Sequence, residues 1–154
     1  MAFTFQFQSI LDVKTRLEDL KKAKFGEANE ELRVQTEKLS VLLQEQKLQY
    51  DTMKEKNKKG ITPKDFIVYN NYMQRLKQAI EIQKKVIEKA KEAVERARRE
   101  LVEASKERKK FETLKEKKLE EYWEEYYRKE QLALDEIVSY KYNGGVSDGE
   151  EGGR

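Results

Sequence analysis

The chain has 154 residues, 37% hydrophobic and 41% charged, with seven Gly, one Pro, no Cys and no His. That is too polar to fill a globular core at this length and too poor in Gly and Pro for a loop-rich fold, which leaves long helices that bury a narrow stripe. Disulfide frameworks, thiol chemistry, zinc sites and an imidazole base are excluded. The 33 basic and 30 acidic residues are interspersed rather than segregated; they describe a salt-bridged helix surface rather than a one-signed nucleic-acid face. No apolar run reaches the length of a membrane span, so no direct membrane insertion is expected. Carboxylates on a solvated helix lack a pocket to shift their pKa values, so the expectation is a non-enzymatic protein without cofactor or metal.

The chain opens with Phe3, Phe5 and Phe7 alternating with polar residues. This is a strand period too short to stand alone: either the rings fold back on a neighbouring helix, or they order against a partner. Ser9 can cap a first helix, with Asp12 three residues on. Ile10, Val13, Leu17 and Leu20 follow heptad spacing, and Ala28, Leu32, Gln35, Leu39, Leu42, Gln46, Gln49 and Met53 resume it. The join between the two runs reads as a stutter, with Gly26 inside it marking a locally unwound place.

The first helix is expected over about 9–57, a turn over 58–62 and the second helix over about 63–141. At the turn Gly60 can take a left-handed backbone, Thr62 is an N-cap and Pro63 fits the first helical position. Asp65 can reach back to the Thr62 N–H, and Ile61 and Phe66 can form a hydrophobic staple. The second helix carries the most regular pattern: Phe66, Tyr69, Met73, Leu76, Ile80, Gln83, Ile87, Ala90, Val94, Ala97, Leu101, Ala104, Arg108 and Phe111, spaced three and four in alternation. Small Ala90, Ala97 and Ala104 should let the helices approach closely.

Past Phe111 the pattern shifts to Leu119, Tyr122 or Trp123, Tyr126, Ala133, Ile137 and Tyr140. The expected fold is all-α: two long helices in an antiparallel coiled-coil hairpin, the second longer and overhanging, forming one domain over 1–142 with a disordered glycine-rich acidic tail over 143–154. A short turn places residue i of the first helix opposite a residue numbered about 120 minus i, leaving roughly thirty residues of the second helix without a partner. That overhang keeps Tyr122, Trp123, Tyr126 and Tyr127, aromatics that favour an interface, whether with a different protein, with a second copy, or with the N-terminal phenylalanines folding over its base. Near the turn, Leu39, Leu43, Gln46 and Tyr50 on the first helix and Tyr72, Leu76, Ala79 and Gln83 on the second share the spacing i, i+4, i+7, i+11, which reads as a widened seam or a docking strip.

The order of "FTFQFQSILDVK", "KGITPKDFIVYNNYMQRLKQAIE" and "KLEEYWEEYYRKEQLALDEIV" resembles the FliJ family, the small coiled-coil component of the flagellar type III export apparatus. The resemblance implies a two-helix coiled coil similar to the stalk subunit of rotary ATPases. It implies association with the hexameric export ATPase, with the cytosolic domain of the membrane export gate and with export chaperones, in the cytoplasm and peripheral to the inner membrane through that apparatus. By resemblance, Phe111, Leu119, Tyr122, Trp123, Tyr126 and Tyr127 fall in the ATPase-ring-binding part. Leu39, Leu43, Gln46, Tyr50, Tyr72, Leu76, Ala79 and Gln83 match the gate-docking surface, with a one-residue alternative register on the first helix. The injectisome stalk family has a similar shape, a self-associating structural coiled coil is the rival class, and a basic binder of nucleic acid or anionic membrane is a third class that the interspersed acids disfavour.

Overall fold

A computed structural model describes residues 2–147. It consists of two helices, α1 (Gln8–Lys59, 52 residues) and α2 (Pro63–Ser147, 85 residues), joined by a short turn. Both boundaries at the turn lie within two residues of those expected. The far end of α2 does not: it continues past residue 141 through Asn143 and Gly144 to Ser147. A glycine inside a helix costs only about 1 kcal/mol, so it need not end one that nothing else interrupts. The rest of the expected tail, 148–154, lies outside the described residues.

The turn is built from its own residues. Asn57 accepts the Gly60 N–H at 3.2 Å, and Gly60 turns at a φ of 92°, a left-handed conformation that side chains with a Cβ resist. Thr62 then caps α2: its Oγ1 accepts the Asp65 N–H at 3.2 Å and its carbonyl accepts the Phe66 N–H at 3.2 Å. Of the two expected staple residues, Ile61 is half-buried and Phe66 stays 53% exposed. Lys56, Lys58 and Lys59 in the last turn of α1, and Asp65 in the first turn of α2, complement the helix dipoles.

The chain divides into two compact units, one spanning 15–106 and the other joining the first 14 residues to the chain from Glu107 onward. In the 15–106 unit the helices pair in antiparallel register. Lys21 meets Glu100 at 3.1 Å, Gln83 donates to both the carbonyl and Oε1 of Gln35 at 2.8 Å, and the Tyr72 hydroxyl donates to Glu45 at 3.0 Å. All three pairs follow the relation expected of a tight hairpin. The α2 side of the seam is the expected one, with Leu76, Ile80, Ile87, Ala90 and Ala104 buried. Polar Gln83 in that seam bonds only where Gln35 faces it, so it fixes register.

The α1 side departs from expectation in its first third. Leu11, not Ile10, is buried, and so is Glu18; Lys14, Lys21 and Phe25 are half-buried. Ile10, Val13, Leu17 and Leu20 are 41, 60, 38 and 53% exposed. The inward positions Leu11, Lys14, Glu18, Lys21, Phe25, Ala28, Leu32, Gln35, Leu39 and Leu42 alternate threes and fours without a break. There is no stutter, and α1 is helical through Gly26.

The physical reason is that the more apolar of two competing stripes does not hold the register set by Phe25 to Met53. Lys21 lays its stem along the seam and pairs with Glu100, and Lys14 pairs with Glu107 at 3.7 Å, as amphipathic side chains can. Buried Glu18 accepts an ion pair from Lys22 at 3.2 Å, and Ala104, at about its level on α2, leaves room for a long side chain.

In the terminal unit the N-terminal phenylalanines fold back on the second helix. Phe7 meets Phe111 at 6.4 Å between ring centroids, Phe3 meets Tyr122 at 5.6 Å, and Phe5, beside Phe7, is 7% exposed. This anchored segment starts α1 one residue before Ser9. Phe5 and Phe7 carbonyls accept the N–H groups of Gln8 and Leu11, and the Gln8 side chain, rather than Ser9, engages Asp12 at 2.9 Å.

Candidate interaction surfaces

On α2 within the terminal unit, the six residues expected at the ATPase-ring-binding end fall into two groups. Phe111 and Tyr122 are half-buried under the phenylalanine strap. Leu119, Trp123, Tyr126 and Tyr127 are 36, 45, 42 and 61% exposed, and every residue from Trp123 through Gly144 is exposed. The aromatic rings touch one another: Tyr122 meets Trp123 edge-on at 5.5 Å, Trp123 meets Tyr126 at 5.6 Å, and Tyr127 stacks on Trp123 at 5.9 Å and 30°. Residues three and four apart on a helix are neighbours, so this spacing turns single side chains into a stiff aromatic ridge.

The Tyr126 hydroxyl donates to Glu130 at 3.1 Å, and that hydrogen bond to a carboxylate raises the phenol pKa. Further along, Leu132, Leu134, Ile137, Val138, Tyr140 and Tyr142 are 54 to 81% exposed. A shallow groove beside the ridge is lined by Thr113, Glu116, Leu119, Glu120, Trp123 and Tyr127. The ridge was readable from its residue types. The strap over its base is the arrangement expected if the N-terminal phenylalanines fold over the start of the overhang.

Near the turn, in the other unit, the structure separates the eight residues of the expected docking strip. Leu76 is core at 7% exposure, and Leu39, Gln46, Ala79 and Gln83 are half-buried beside the seam. Leu43, Tyr50 and Tyr72 are 43, 58 and 39% exposed, but not on one face. Leu39 opens onto a groove with Lys84, Ile87, Glu88 and Lys91, and Leu43 and Tyr50 follow it at i+4 and i+11.

Gln83 and Tyr72 open to the other side. Gln83 shares a groove with Val34, Lys38, Val41 and Leu42. Tyr72 bonds to Glu45 and lines a groove with Gln49, Thr52, Met53, Lys56 and Val68. The α1 residues that accompany Tyr72 and Gln83 are therefore Lys38, Leu42, Glu45 and Gln49, one position earlier than the expected set and with the same spacing. The signal was available: in an antiparallel pair, residues on the same rotational flank of each seam share a side, and the expected α1 set lies on the opposite flank. The Glu45 carboxylate raises the Tyr72 pKa through its hydrogen bond.

Among the described residues no group of His, Cys, Asp and Glu is arranged to hold a metal ion, and no helix is long and apolar enough to cross a membrane. The described residues carry two sets of exposed side chains on two long helices. The chain matches the flagellar FliJ protein family over residues 3–147 and belongs to that family. It is a coiled-coil protein of the type III export class. No curated protein matches it. Among solved structures it is similar to CT670 of Chlamydia trachomatis, described as a YscO homolog, at 21% identity and a TM-score of 0.53, covering 95% of this chain and 99% of that one. That likeness bears on the fold.

Proposed function

We propose that this protein is the stalk-like adaptor of a flagellar type III export apparatus. It binds the hexameric export ATPase through the aromatic end of α2 and the cytosolic domain of the export gate through the face around Tyr72, and it helps cycle export chaperones. It does no chemistry itself and works in the cytoplasm at the inner-membrane apparatus. The observation that carries this reading is the aromatic ridge of Trp123, Tyr126 and Tyr127, exposed on a helix that continues to Ser147. Water alone gives a helix no reason to hold such a ridge, and aromatic anchors dominate interface energetics. A helix of this kind, asymmetric by nature, cannot contact six ring subunits equally, so it biases them into different states.

The gate-docking face is then Lys38, Leu42, Glu45 and Gln49 with Tyr72, Ala79 and Gln83, because these share a side. Leu43 and Tyr50 face away from it. Pull-down of the purified export ATPase by a chain truncated after Tyr122 tests the ring assignment and keeps the strap's own partners in place. Loss of capture with retained helicity supports it. Undiminished capture sinks it.

A further inference from the structure

The chain around the turn carries an excess of basic side chains, as residues 96–118 also do. Residues 52–80 hold seven basic side chains, Lys54, Lys56, Lys58, Lys59, Lys64, Arg75 and Lys77, against two acidic ones, Glu55 and Asp65. Their net charge of +5 exceeds the +3 of the entire chain, so all other residues together carry −2. Glu55 is already engaged by Lys58 at 3.2 Å, and Asp65 sits at the capped start of α2.

At the same place three consecutive large apolar residues, Phe66, Ile67 and Val68, are 53, 59 and 61% exposed. Consecutive helical residues point about 100° apart, so these three aim in different directions around α2. A partner helix or a protein groove meets one face and would take residues three or four apart. A medium that surrounds the end of a hairpin can receive all three. Apolar side chains ringed by lysines are also the combination that partitions into the interface of an anionic bilayer, where each nearby Lys adds about a factor of five in affinity.

We propose that the α1–α2 turn is a peripheral docking tip for an anionic phospholipid bilayer, with Phe66 and Ile67 at the boundary between headgroups and acyl chains and Lys58, Lys59 and Lys64 at the headgroup phosphates. This is contact at the surface and not a span. It does not rest on the ATPase assignment, its partner is lipid rather than protein, and Val68 and Lys56, which line the Tyr72 groove, stay with the gate face.

Co-sedimentation of the full chain with vesicles containing phosphatidylglycerol and phosphatidylcholine, against vesicles of phosphatidylcholine alone, tests it. The expected result is binding to the anionic vesicles that weakens steeply with salt and is near background on the neutral ones. The variant K58E/K59E/K64E should bind at least about a hundred-fold more weakly, and F66S/I67S at least about ten-fold more weakly. All substituted positions are exposed, and circular dichroism checks that helicity is kept. As a positional readout, F66W in a W123F background should shift its emission to the blue on anionic vesicles, while native Trp123 should not. Equal binding to both vesicle types, no binding, or binding that the two variants leave unchanged overturns the proposal. So does lysine-dependent self-association without vesicle binding, which would assign the tip to the acidic end of a second copy.

Discussion

Two stretches of α2 have similar composition and opposite fates. In the first quarter of the helix Leu76 and Ile80 are 7 and 4% exposed; past the strap Leu132 and Ile137 are 57 and 54% exposed. The same residue types on one helix differ only in whether another segment of the chain lies against them. What the contrast teaches is that α2 is helical throughout on local propensity and that its apolar stripe is committed only where α1 or the phenylalanine strap covers it. Past the strap the stripe is left exposed among the described residues.

The largest effect that tests this contrast is on stability. Ile80→Ala should cost about 2–4 kcal/mol, as removal of a buried aliphatic does. Ile137→Ala should fall within about 0.5 kcal/mol of the parent. Urea or thermal unfolding followed by circular dichroism measures both. Comparable losses at the two sites would mean that the end of α2 is packed in the free protein.

A finer contrast separates the two candidate stripes at the start of α1. Leu11→Ala should destabilise by about 2 kcal/mol or more, whereas the adjacent Ile10→Ala should change stability by no more than about 0.5 kcal/mol. The reverse order would restore the seam through Ile10, Val13, Leu17 and Leu20.

The smallest effect is electrostatic. Hydrogen bonding and charge from Lys21 lower the Glu100 pKa, and Lys110, with a lesser contribution from Lys14, lowers that of Glu107. A carboxylate whose folded-state pKa is depressed contributes stability that is present above its unfolded value and lost as pH falls through the folded one. The melting temperature should therefore drop on acidification from pH 6 to pH 3. Because both groups face solvent, replacing Lys21 by Met should reduce that drop only slightly. A melting temperature that rises on acidification would contradict the assignment.

Much of this fold is readable in the sequence, and unevenly so. On α2, Tyr69 to Phe111 alternate threes and fours with two polar interruptions, and the cap at Thr62 and the turn at Gly60 are written in residues with few other uses. Hydrophobicity misleads at the start of α1, because the seam there passes through Lys14, Glu18 and Lys21. Lys14 and Lys21 are tolerated by cross-helix ion pairs that no single-helix pattern reveals, Glu18 pairs with Lys22 on its own helix, and the register is set by residues further along. The candidate surfaces divide in the same way. The aromatic ridge follows from composition and spacing, but which α1 residues accompany Tyr72 depends on the rotational sense of both helices together. Burial of Phe111 and Tyr122 depends on the phenylalanine strap, which the sequence offers as one of several ways to cover the base of the overhang.

The central claim is that the exposed ridge of α2 is a protein interface separate from the packed hairpin. The most direct measurement is the affinity of W123A/Y127A for the purified hexameric export ATPase, compared with that of Y72A. The account predicts that the ridge variant loses binding by at least about a hundred-fold, as removal of two aromatic anchors does, while its unfolding curve and the affinity of Y72A stay at parent values. Parent-like ATPase affinity in the ridge variant, or equal loss in both variants, would contradict it.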